Sequence, residues 1–352
     1  MNRNNRIDAF AKLGEFLGQF KISGNQKKDL AINAKYFDEF ESQINKAVHY
    51  NGWFTKDNVL FAFEEWSNLL TVEKLTYWME KYPYSVKEPK IVGLIMAGNI
   101  PLVGFHDFLT VLMSGHKVKA KLSSNDKQFF PMIAALLKDE NPDFVDKIEF
   151  TNDKLEGFDA VVATGSNNTA RYFNHYFKDY PSIIRQNRNS VAVLSGDESE
   201  EELKALGEDI FRYFGLGCRS VSKLFVPKGY DFDKIFKSIY SYKDIINHAK
   251  YANNYDYNKA VYLMSKFKLV ENGFFMLKEE VGYGSPIATL FYEYYDSIEM
   301  LKNRLLLDEE MIQCVVGNSN SVEGEVAFGQ SQHPALYEYA DGVDTMDFLL
   351  KL

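Results

Sequence analysis

The sequence predicts an α/β protein in which helices cover both faces of a doubly wound parallel sheet. Between about residues 88 and 195, apolar segments of strand length alternate with amphipathic segments of helix length, as in folds built from strand-helix-strand units. One of the strand segments, FDAVVATGS, runs directly into a helical segment that opens with Asn and Thr. Before residue 80, apolar residues recur at three-to-four spacing, which predicts a helical lead-in to the sheet.

The individual elements follow from these patterns. Strands are predicted at KIVGLIMAG, KVKAKL, KIEF, FDAVVATGS and NSVAVLSG, with helices at LVGFHDFLTVLMS, NDKQFFPMIAALLKD and NNTARYFNHYFKDY. Gly115 is predicted to end the first of these helices. A later helix, ESEEELKALGEDIFRYFG, stops at glycines 215 and 217 and carries five apolar residues on one face: Leu203, Leu206, Ile210, Phe211 and Phe214.

Composition excludes several classes of protein. The 352 residues carry a net charge of −9, which argues against a general binder of nucleic acid or of anionic membranes. No uncharged run reaches the roughly 18 residues of a membrane span, and the polar N-terminal stretch lacks the apolar segment of a secretory leader. Two distant cysteines and no CxxC motif predict a reduced, cytoplasmic protein without zinc. The 15% aromatic content fits either aromatic cores or an acyl tunnel.

Cys218, in the stretch GLGCRS, is the best candidate nucleophile. A reactive thiolate needs an electropositive and partly open setting, and the flanking glycines and Arg219 offer both. The backbone N–H groups of such a turn can also face a developing oxyanion. The alternative is a structural thiol, which is the usual role of free cysteine and the one predicted for Cys314.

Three further stretches place polar residues after predicted strands. ATGSNNTA puts a Gly-Ser turn at the mouth of a helix, which suits either a bound phosphate or a simple N-cap. Asn99 in MAGNIP is either a helix cap or an amide directed at a reacting carbonyl. Lys121 stands at the carboxyl end of a strand, where open α/β sheets bind ligands, although a solvated charge fits as well. His106 is predicted to be a packed residue, and His333 receives no role.

Taken in order, five stretches resemble the aldehyde dehydrogenase superfamily and, within it, the acyl-CoA reductases of the bacterial bioluminescence type. They span about residues 90–350 and are GLIMAGNIPLVGFHDFLTVLMSGHKVKAKLSS, GFDAVVATGSNNTARYF, NSVAVLSGDE, FGLGCRSVSKLFVP and FGQSQHPALYEYADGVDTMDFL. The resemblance implies an aldehyde dehydrogenase-like fold with a doubly wound cofactor domain and an α/β catalytic domain. It also implies a fatty acyl-CoA substrate and an acyl-activating synthetase as partner.

The resemblance assigns roles to residues of this sequence. Cys218 matches the catalytic cysteine, and Asn99 matches the asparagine of the oxyanion hole. Lys121 and Ser123 match the pair that holds the adenosine ribose. The remaining cofactor-binding matches are Thr164, Gly165 and Ser166, in a turn near the pyrophosphate and nicotinamide, and Glu280 in EEVGYGSP, at the ribose-binding glutamate.

Two departures from the superfamily pattern refine the expected chemistry. Hydrolytic aldehyde dehydrogenases carry a water-activating Glu in a Glu-Leu-Gly-Gly motif, where this sequence has RQNRN and no carboxylate. The resemblance therefore implies reduction of a thioester through an acyl-cysteine. The acidic residue that usually follows the lysine-serine pair is replaced by Ser124, which favours NADPH, with NADH as the alternative. Oxidation of an aldehyde, reduction of an acyl phosphate and a non-catalytic dinucleotide-binding subunit remain the alternatives.

These inferences divide the chain into four parts. Residues 1–85 form a helical segment, residues 86–190 a dinucleotide-binding domain, and residues 191–320 a catalytic domain that carries the cysteine. Residues 321–352 form a return segment whose tail, DGVDTMDFLLKL, is predicted to be a strand. Because such a strand either closes a sheet or pairs across a subunit interface, the sequence predicts a homodimer.

Overall fold

The structure, a computed structural model, describes residues 1–82, 86, 88–318, 322 and 324–352. The chain forms two compact units. The first contains residues 1–186 together with residues 335–352, and the second contains residues 187–334. The four-part division made from the sequence stays a prediction, but the helical lead-in and the sheet that follows it lie in one unit.

The first unit begins with the four helices of the lead-in, which are α1 (Arg3–Leu17), α2 (Asn33–Tyr50), α3 (Lys56–Leu69) and α4 (Val72–Glu80). The Thr55 hydroxyl caps α3 by accepting the N–H of Asn58, as the sequence predicts. The buried faces of these helices are rich in phenylalanine, and Phe16, Phe20 and Phe40 pack ring against ring. They share one apolar core with the helices that cover the sheet, so much of the aromatic content is core.

A five-stranded parallel sheet forms the rest of the first unit. Its strands are β1 (Ile91–Ile95), β2 (Lys117–Lys121), β3 (Ile148–Thr151), β4 (Ala160–Thr164) and β5 (Ser182–Arg185), in the order β3-β2-β1-β4-β5. The connecting helices are α5 (Phe105–Ser114), α6 (Phe129–Glu140) and α7 (Asn167–Tyr176). Gly115 ends α5 in a left-handed conformation, as predicted.

The second unit contains a six-stranded sheet in the order β11-β6-β7-β10-β9-β8, parallel except for β8. Its strands are β6 (Asn189–Val193), β7 (Val221–Pro227), β8 (Leu269–Glu271), β9 (Met276–Glu279), β10 (Thr289–Tyr295) and β11 (Ile312–Val316). Its helices are α8 (Glu200–Phe211), α9 (Phe232–Ser238), α10 (Ala249–Met264) and α11 (Ile298–Leu307). A capping box formed by Ser199 and Glu202 begins α8.

The structure corrects two of the predicted element assignments. NSVAVLSG does not continue the first sheet, because β6 lies in the second one; the last strand of the first sheet is the short SIIR. The helix of the ESEEELK segment ends at Phe211, before the glycines. Tyr213 and Phe214 follow it in the left-handed region, with φ of 54° and 58°, a conformation costly for bulky residues. Phe214 is therefore not on the helical face, and its ring packs on that of His248 at 4.4 Å.

The predicted strand at the tail is wrong. Residues Thr345–Leu350 form helix α12, which Asp344 caps by accepting the N–H of Asp347. The helix packs on α5 with Met346 and Leu349 fully buried, and the carbonyl of Leu349 bonds to the His116 ring at 2.8 Å. The three-residue spacing of these apolar side chains suits a helix that buries one face. The tail thus offers no strand for pairing with a second subunit.

No helix within the described parts of the chain is both long enough and apolar enough to cross a membrane.

We expect Leu349→Ala to lower the free energy of unfolding by about 2–5 kcal/mol, because it removes a buried side chain from the α5–α12 contact. Urea denaturation of the purified protein measures this change. The exposed Lys351→Ala is the control and costs less than about 0.5 kcal/mol. An unchanged stability combined with a change in oligomeric state would show instead that the tail is an interface.

Candidate active site

The carboxyl ends of β1, β2 and β4 lie side by side at one edge of the first sheet. Ile95 at the end of β1 is in register with Lys121 of β2 on one side and with Ala163 of β4 on the other. Strand order reverses between β1 and β4, and open α/β sheets bind ligands at such a switch point. The edge therefore carries the predicted residues Lys121 and Thr164, and the loops that hold Asn99, Ser123, Gly165 and Ser166.

The loops that follow β1 and β2 touch each other closely at this edge. A Cβ atom at Gly98 would lie 2.5 Å from the Ser123 hydroxyl, so only glycine fits next to Asn99. Asn51, which ends α2, braces both loops, because its amide donates to the carbonyl of Gly98 at 3.3 Å and to that of Asn125 at 3.5 Å. Asn99 itself is exposed, while Lys121 and Ser123 are half-buried.

A buried carboxyl group, Asp126, connects the same two loops. Its Oδ2 accepts the N–H of Leu102 at 2.9 Å, and Leu102 has a left-handed φ of 57°. Its Oδ1 is buried and has no hydrogen-bond partner among the described residues. Burial raises the pKa of the Asp126 carboxyl to about 7. The hydrogen bond from Leu102 to Asp126 therefore holds the loop of Asn99 in place. The carboxyl group that makes this bond favours its neutral form.

The Gly-Ser turn after β4 has the geometry of a helix start. Ser166 is the N-cap of α7, and its hydroxyl accepts the N–H of Thr169 at 3.3 Å. A Cβ at Gly165 would lie 2.9 Å from the Thr169 side chain, so the turn packs tightly onto the helix. The N-cap interpretation is confirmed, and the turn still presents a helix N-terminus at the edge where the other predicted cofactor residues lie.

Cys218 lies in the second unit, at the tip of a turn that leads into β7. The N–H of Ser220 donates to the carbonyl of Gly217 at 3.0 Å, which places Cys218 and Arg219 at the central positions of the turn. Cys218 is exposed, as a nucleophile must be. The Arg219 side chain makes its own hydrogen bond, in which Nε donates to the carbonyl of Ser331.

A buried serine fixes the backbone of Cys218. The hydroxyl of Ser190, at the start of β6, donates to the Cys218 carbonyl at 2.9 Å and lies 3.0 Å from the Cys314 sulfur. Because a hydroxyl has only one proton to donate, the thiol of Cys314 is the donor to Ser190. The two cysteines thus differ in kind: Cys218 is exposed at a turn, and Cys314 is half-buried and packs against the apolar core.

Glu280 lies at the end of β9, in the second unit. Its carboxylate accepts a hydrogen bond from Lys278 at 2.6 Å and one from the N–H of Val281 at 3.0 Å. The hydrogen bond from Lys278 lowers the pKa of the Glu280 carboxyl, which is thus an ion-paired carboxylate. A carboxylate has about four acceptor positions, so Glu280 keeps capacity to accept a further hydroxyl.

The loop that follows Glu280 is tied to β7 by side chains. Ser222 donates to the carbonyl of Tyr283 at 2.7 Å, and Lys223 donates to that of Val281 at 2.7 Å. The Lys223 side chain is fully buried and ion-paired with Glu293 at 2.6 Å. Burial lowers the pKa of Lys223, and the hydrogen bond to Glu293 opposes that shift. The position of Glu280 therefore depends on a buried charged pair.

Arg185 stands first in RQNRN, the stretch that replaces the glutamate motif of hydrolytic relatives. It is buried and bonds to Asp107 at 2.7 Å, to the carbonyl of Ala340 at 2.7 Å and to the Thr345 hydroxyl at 2.8 Å. These bonds fix the guanidinium as a structural cation within the first unit. It cannot act as a base that activates water.

His106, another residue considered from the sequence, has a structural role. His106 is packed as predicted: its Nε2 bonds to the carbonyl of Leu336 at 2.9 Å, and burial lowers its pKa. Within the described ranges, no group of His, Cys, Asp and Glu is arranged to hold a metal ion. Sequence reasoning missed Asn51, Asp126 and Ser190, since each acts through a partner distant in the chain.

The sequence of this chain was compared with protein families and with curated proteins. The acyl-CoA reductase (LuxC) family matches residues 50–238, which is more than half of the chain. No curated protein is significantly similar in sequence.

Solved structures share the fold. An aldehyde dehydrogenase 21 from Physcomitrella patens, in complex with succinate, superposes with a TM-score of 0.67 at 10% identity, covering 100% of this chain and 84% of the other. The NAD+ complex of an aldehyde dehydrogenase from Bacillus cereus has a TM-score of 0.64 at 12% identity, covering 99% and 82%. An NAD-dependent aldehyde dehydrogenase from Sinorhizobium meliloti has a TM-score of 0.64 at 14% identity, covering 92% and 72%. The chain has the aldehyde dehydrogenase fold.

We expect Asp126→Asn to make stability less dependent on pH. Because the folded-state pKa of Asp126 is raised, its neutral form stabilises the fold below about pH 4, and this contribution is lost as the pH rises towards 7. The amide of the variant does not ionise, so it avoids a loss of about 1–4 kcal/mol between pH 5 and pH 8. Urea denaturation at both pH values measures this difference.

The exposed Asp153→Asn is the control for this change and leaves the pH dependence as it is in the native protein. If Asp126→Asn lost as much free energy of unfolding between pH 5 and pH 8 as the native chain, ionisation of Asp126 would not destabilise the folded state.

Proposed function

Because the chain belongs to the acyl-CoA reductase (LuxC) family and is an oxidoreductase of that type, we propose that it reduces a fatty acyl-CoA to the aldehyde with NADPH. The observation that carries the proposal is the exposed Cys218, presented by a turn whose carbonyl a buried serine holds in place. An acyl-cysteine at this position is the intermediate, and coenzyme A and the aldehyde are the products.

The first half of the reaction is acyl transfer. The Cys218 thiolate attacks the thioester carbonyl, the C–S bond to coenzyme A breaks, and the coenzyme A thiolate leaves. The N–H of Cys218 stabilises the tetrahedral oxyanion, and the resemblance implies the Asn99 amide as a second donor; each such donor is typically worth about 2.7–4 kcal/mol. The hydrogen bond from the N–H of Ser220 to the Gly217 carbonyl supports this role, because it fixes the peptide group that contains the Cys218 N–H.

The second half of the reaction needs a nicotinamide cofactor, which supplies hydride to the acyl carbon when it is bound. The residues at the edge of the first sheet fit such a group. Lys121 and Ser123 offer a cation and a hydroxyl for the adenosine ribose, and the turn at Thr164–Ser166 offers a helix N-terminus for the pyrophosphate. Glu280 would hold the nicotinamide ribose by accepting a hydrogen bond from one of its hydroxyls. The close approach at Gly98 and Gly165 keeps this edge free of side-chain bulk.

The fate of the acyl-cysteine separates this proposal from aldehyde oxidation. Hydrolysis requires a base that activates water, and the stretch RQNRN, which stands where hydrolytic relatives carry the glutamate motif, contains no carboxylate. The first residue of this stretch, Arg185, is held by Asp107 and cannot accept a proton, so in this proposal the thioester persists until it is reduced. Reduction of an acyl phosphate would use the same cysteine. It differs from reduction of an acyl-CoA only in the leaving group, which is phosphate instead of coenzyme A.

The preference for NADPH rests on Ser124. This exposed hydroxyl follows the lysine-serine pair, where the related cofactor sites carry an acidic residue. Without that negative charge, a 2′-phosphate meets no repulsion beside Lys121. An acyl-activating synthetase as partner follows from the resemblance, a cytoplasmic location follows from the composition, and both belong to the same proposal. A homodimer stays a prediction, and the tail, which forms helix α12 instead of a strand, does not support it.

We expect Cys218→Ala to abolish the oxidation of NADPH by a medium-to-long acyl-CoA, followed at 340 nm with detection of the aldehyde. Cys314→Ala is the matched control: its thiol is half-buried against the core, and turnover stays within a few-fold of native. Cys218→Ala still binds NADPH, which a thermal shift detects. Turnover by Cys218→Ala would overturn the mechanism, and a native protein that binds NADPH without oxidising it would be a binding subunit.

We expect Ser124→Glu to raise the KM for NADPH about five- to tenfold and to leave that for NADH within about twofold. A carboxylate beside the 2′-phosphate costs about 1 kcal/mol at a solvated site. Asn152→Glu is the charge-matched control, since Asn152 is exposed and follows β3 at the same edge of the sheet. If both variants changed the KM for NADPH and the KM for NADH equally, Ser124 would have no role in cofactor specificity.

A further inference from the structure

The proposed reaction, on which this inference rests, needs a group that moves protons. The Cys218 thiol must lose its proton before it attacks the thioester. When the thiohemiacetal releases the aldehyde, the C–S bond breaks and the hydroxyl proton must leave. Arg185, which is ion-paired with Asp107, cannot accept either proton.

A loop at residues 329–333 is held in place by a buried carboxylate. Asp209 of α8 is fully buried, and its two oxygens accept the N–H groups of Gly329 at 2.6 Å and of Ser331 at 2.9 Å. This arrangement satisfies both the carboxylate and the loop backbone, which has no strand to pair with here. The loop therefore has a fixed position relative to α8, whose chain continues directly to the cysteine turn.

The same loop is bonded to the turn of Cys218. Arg219 donates through Nε to the carbonyl of Ser331, and Gln332 donates to the hydroxyl of Ser220 at 3.4 Å. The residues that directly follow Cys218 are thus attached to the residues that directly precede His333. The N–H of His333 donates to the carbonyl of Gln330 at 3.1 Å, so the chain turns back at this point. Cys218 and His333 are both exposed beside these bonds.

Three other candidate bases of the second unit, His248, Asp209 and Glu280, have hydrogen-bond partners. His248 is its other histidine, and its Nδ1 accepts the N–H of Tyr251 at 3.4 Å as the cap of α10, while its ring packs on Phe214. Asp209 uses both oxygens for the loop, and Glu280 is paired with Lys278. Arg219 is the cation nearest in sequence to the nucleophile, and it would favour the thiolate.

We propose that His333 is the general base and acid of the reaction at Cys218. The neutral imidazole accepts the thiol proton, which leaves the thiolate to attack the thioester, and the imidazolium gives that proton to the departing coenzyme A thiolate. After hydride transfer, the oxyanion takes a proton from solvent to give the thiohemiacetal, and the imidazole then accepts this hydroxyl proton as the C–S bond breaks. The thiolate is then regenerated, and the released proton passes to solvent.

The first test measures the alkylation of Cys218 by iodoacetamide as a function of pH, with the modified peptide quantified by mass spectrometry. In the native protein we expect an inflection near the pKa of histidine and rapid alkylation at pH 6.5. In His333→Gln the thiol titrates near its ordinary value of about 8.5, and the rate at pH 6.5 falls at least tenfold. His248→Gln is the matched control and keeps the native profile. An unchanged profile in His333→Gln would overturn the proposal.

The second test measures turnover. We expect His333→Gln to lower kcat by about 10²–10⁴-fold with little change in the KM for NADPH, and we expect imidazole to restore part of the activity of His333→Ala. Native kcat in His333→Gln overturns the base assignment while the role of Cys218 stands. If the native protein reduces no acyl-CoA, the proposed function fails, and the alkylation profile still decides whether His333 acts on Cys218. A thermal shift with NADPH confirms that each variant is folded.

Discussion

Strand β1 pairs in parallel with β2 on one side and with β4 on the other, and the arrangement of polar residues in the first unit depends on this pairing. Parallel strands all end at the same edge of their sheet, so the loops that follow them meet there. The register puts Lys121 level with the end of β1, and a slip of one residue would turn its side chain to the opposite face. Apolar helices that cover the sheet then hold this register by burying both faces.

Buried polar groups fix the positions of the loops that follow the strands. Asp126 and Asn51 hold the loops at the edge of the first sheet, and Ser190 and Asp209 hold the turn and the loop of the second unit. A loop lacks the regular hydrogen bonds of a helix or strand, so its position is fixed only where side chains supply them. Each of these residues is buried, which makes the loss of its partner costly and gives the exposed residues nearby a constant position.

The parts of the fold that the sequence predicted have strong local signals. β1, β4 and α5 follow from long apolar runs and from a glycine that ends the helix, and Thr55 and Ser166 cap their helices as their residue types suggest. The errors occur where the local signal is weak. SIIR is too short to stand out as a strand, and MDFLL fits a strand or a helix equally well until its packing on α5 is known. Phe214 fitted the helical face, but the chain leaves the helix at Phe211.

Local patterns in the sequence were enough to predict the α/β class, the family resemblance and the chemical identity of the candidate residues, because periodicity and residue type are properties of the chain. Cys218, Asn99, Lys121 and the turn at 164–166 were identified in this way. The three-dimensional structure was needed to establish which sheet β6 joins, that the tail is a helix, and that Arg185 is held by Asp107. It also revealed Asp126, Ser190 and Asp209 as the groups that fix the loops. These features depend on contacts between residues far apart in the chain, whose energies no local pattern records.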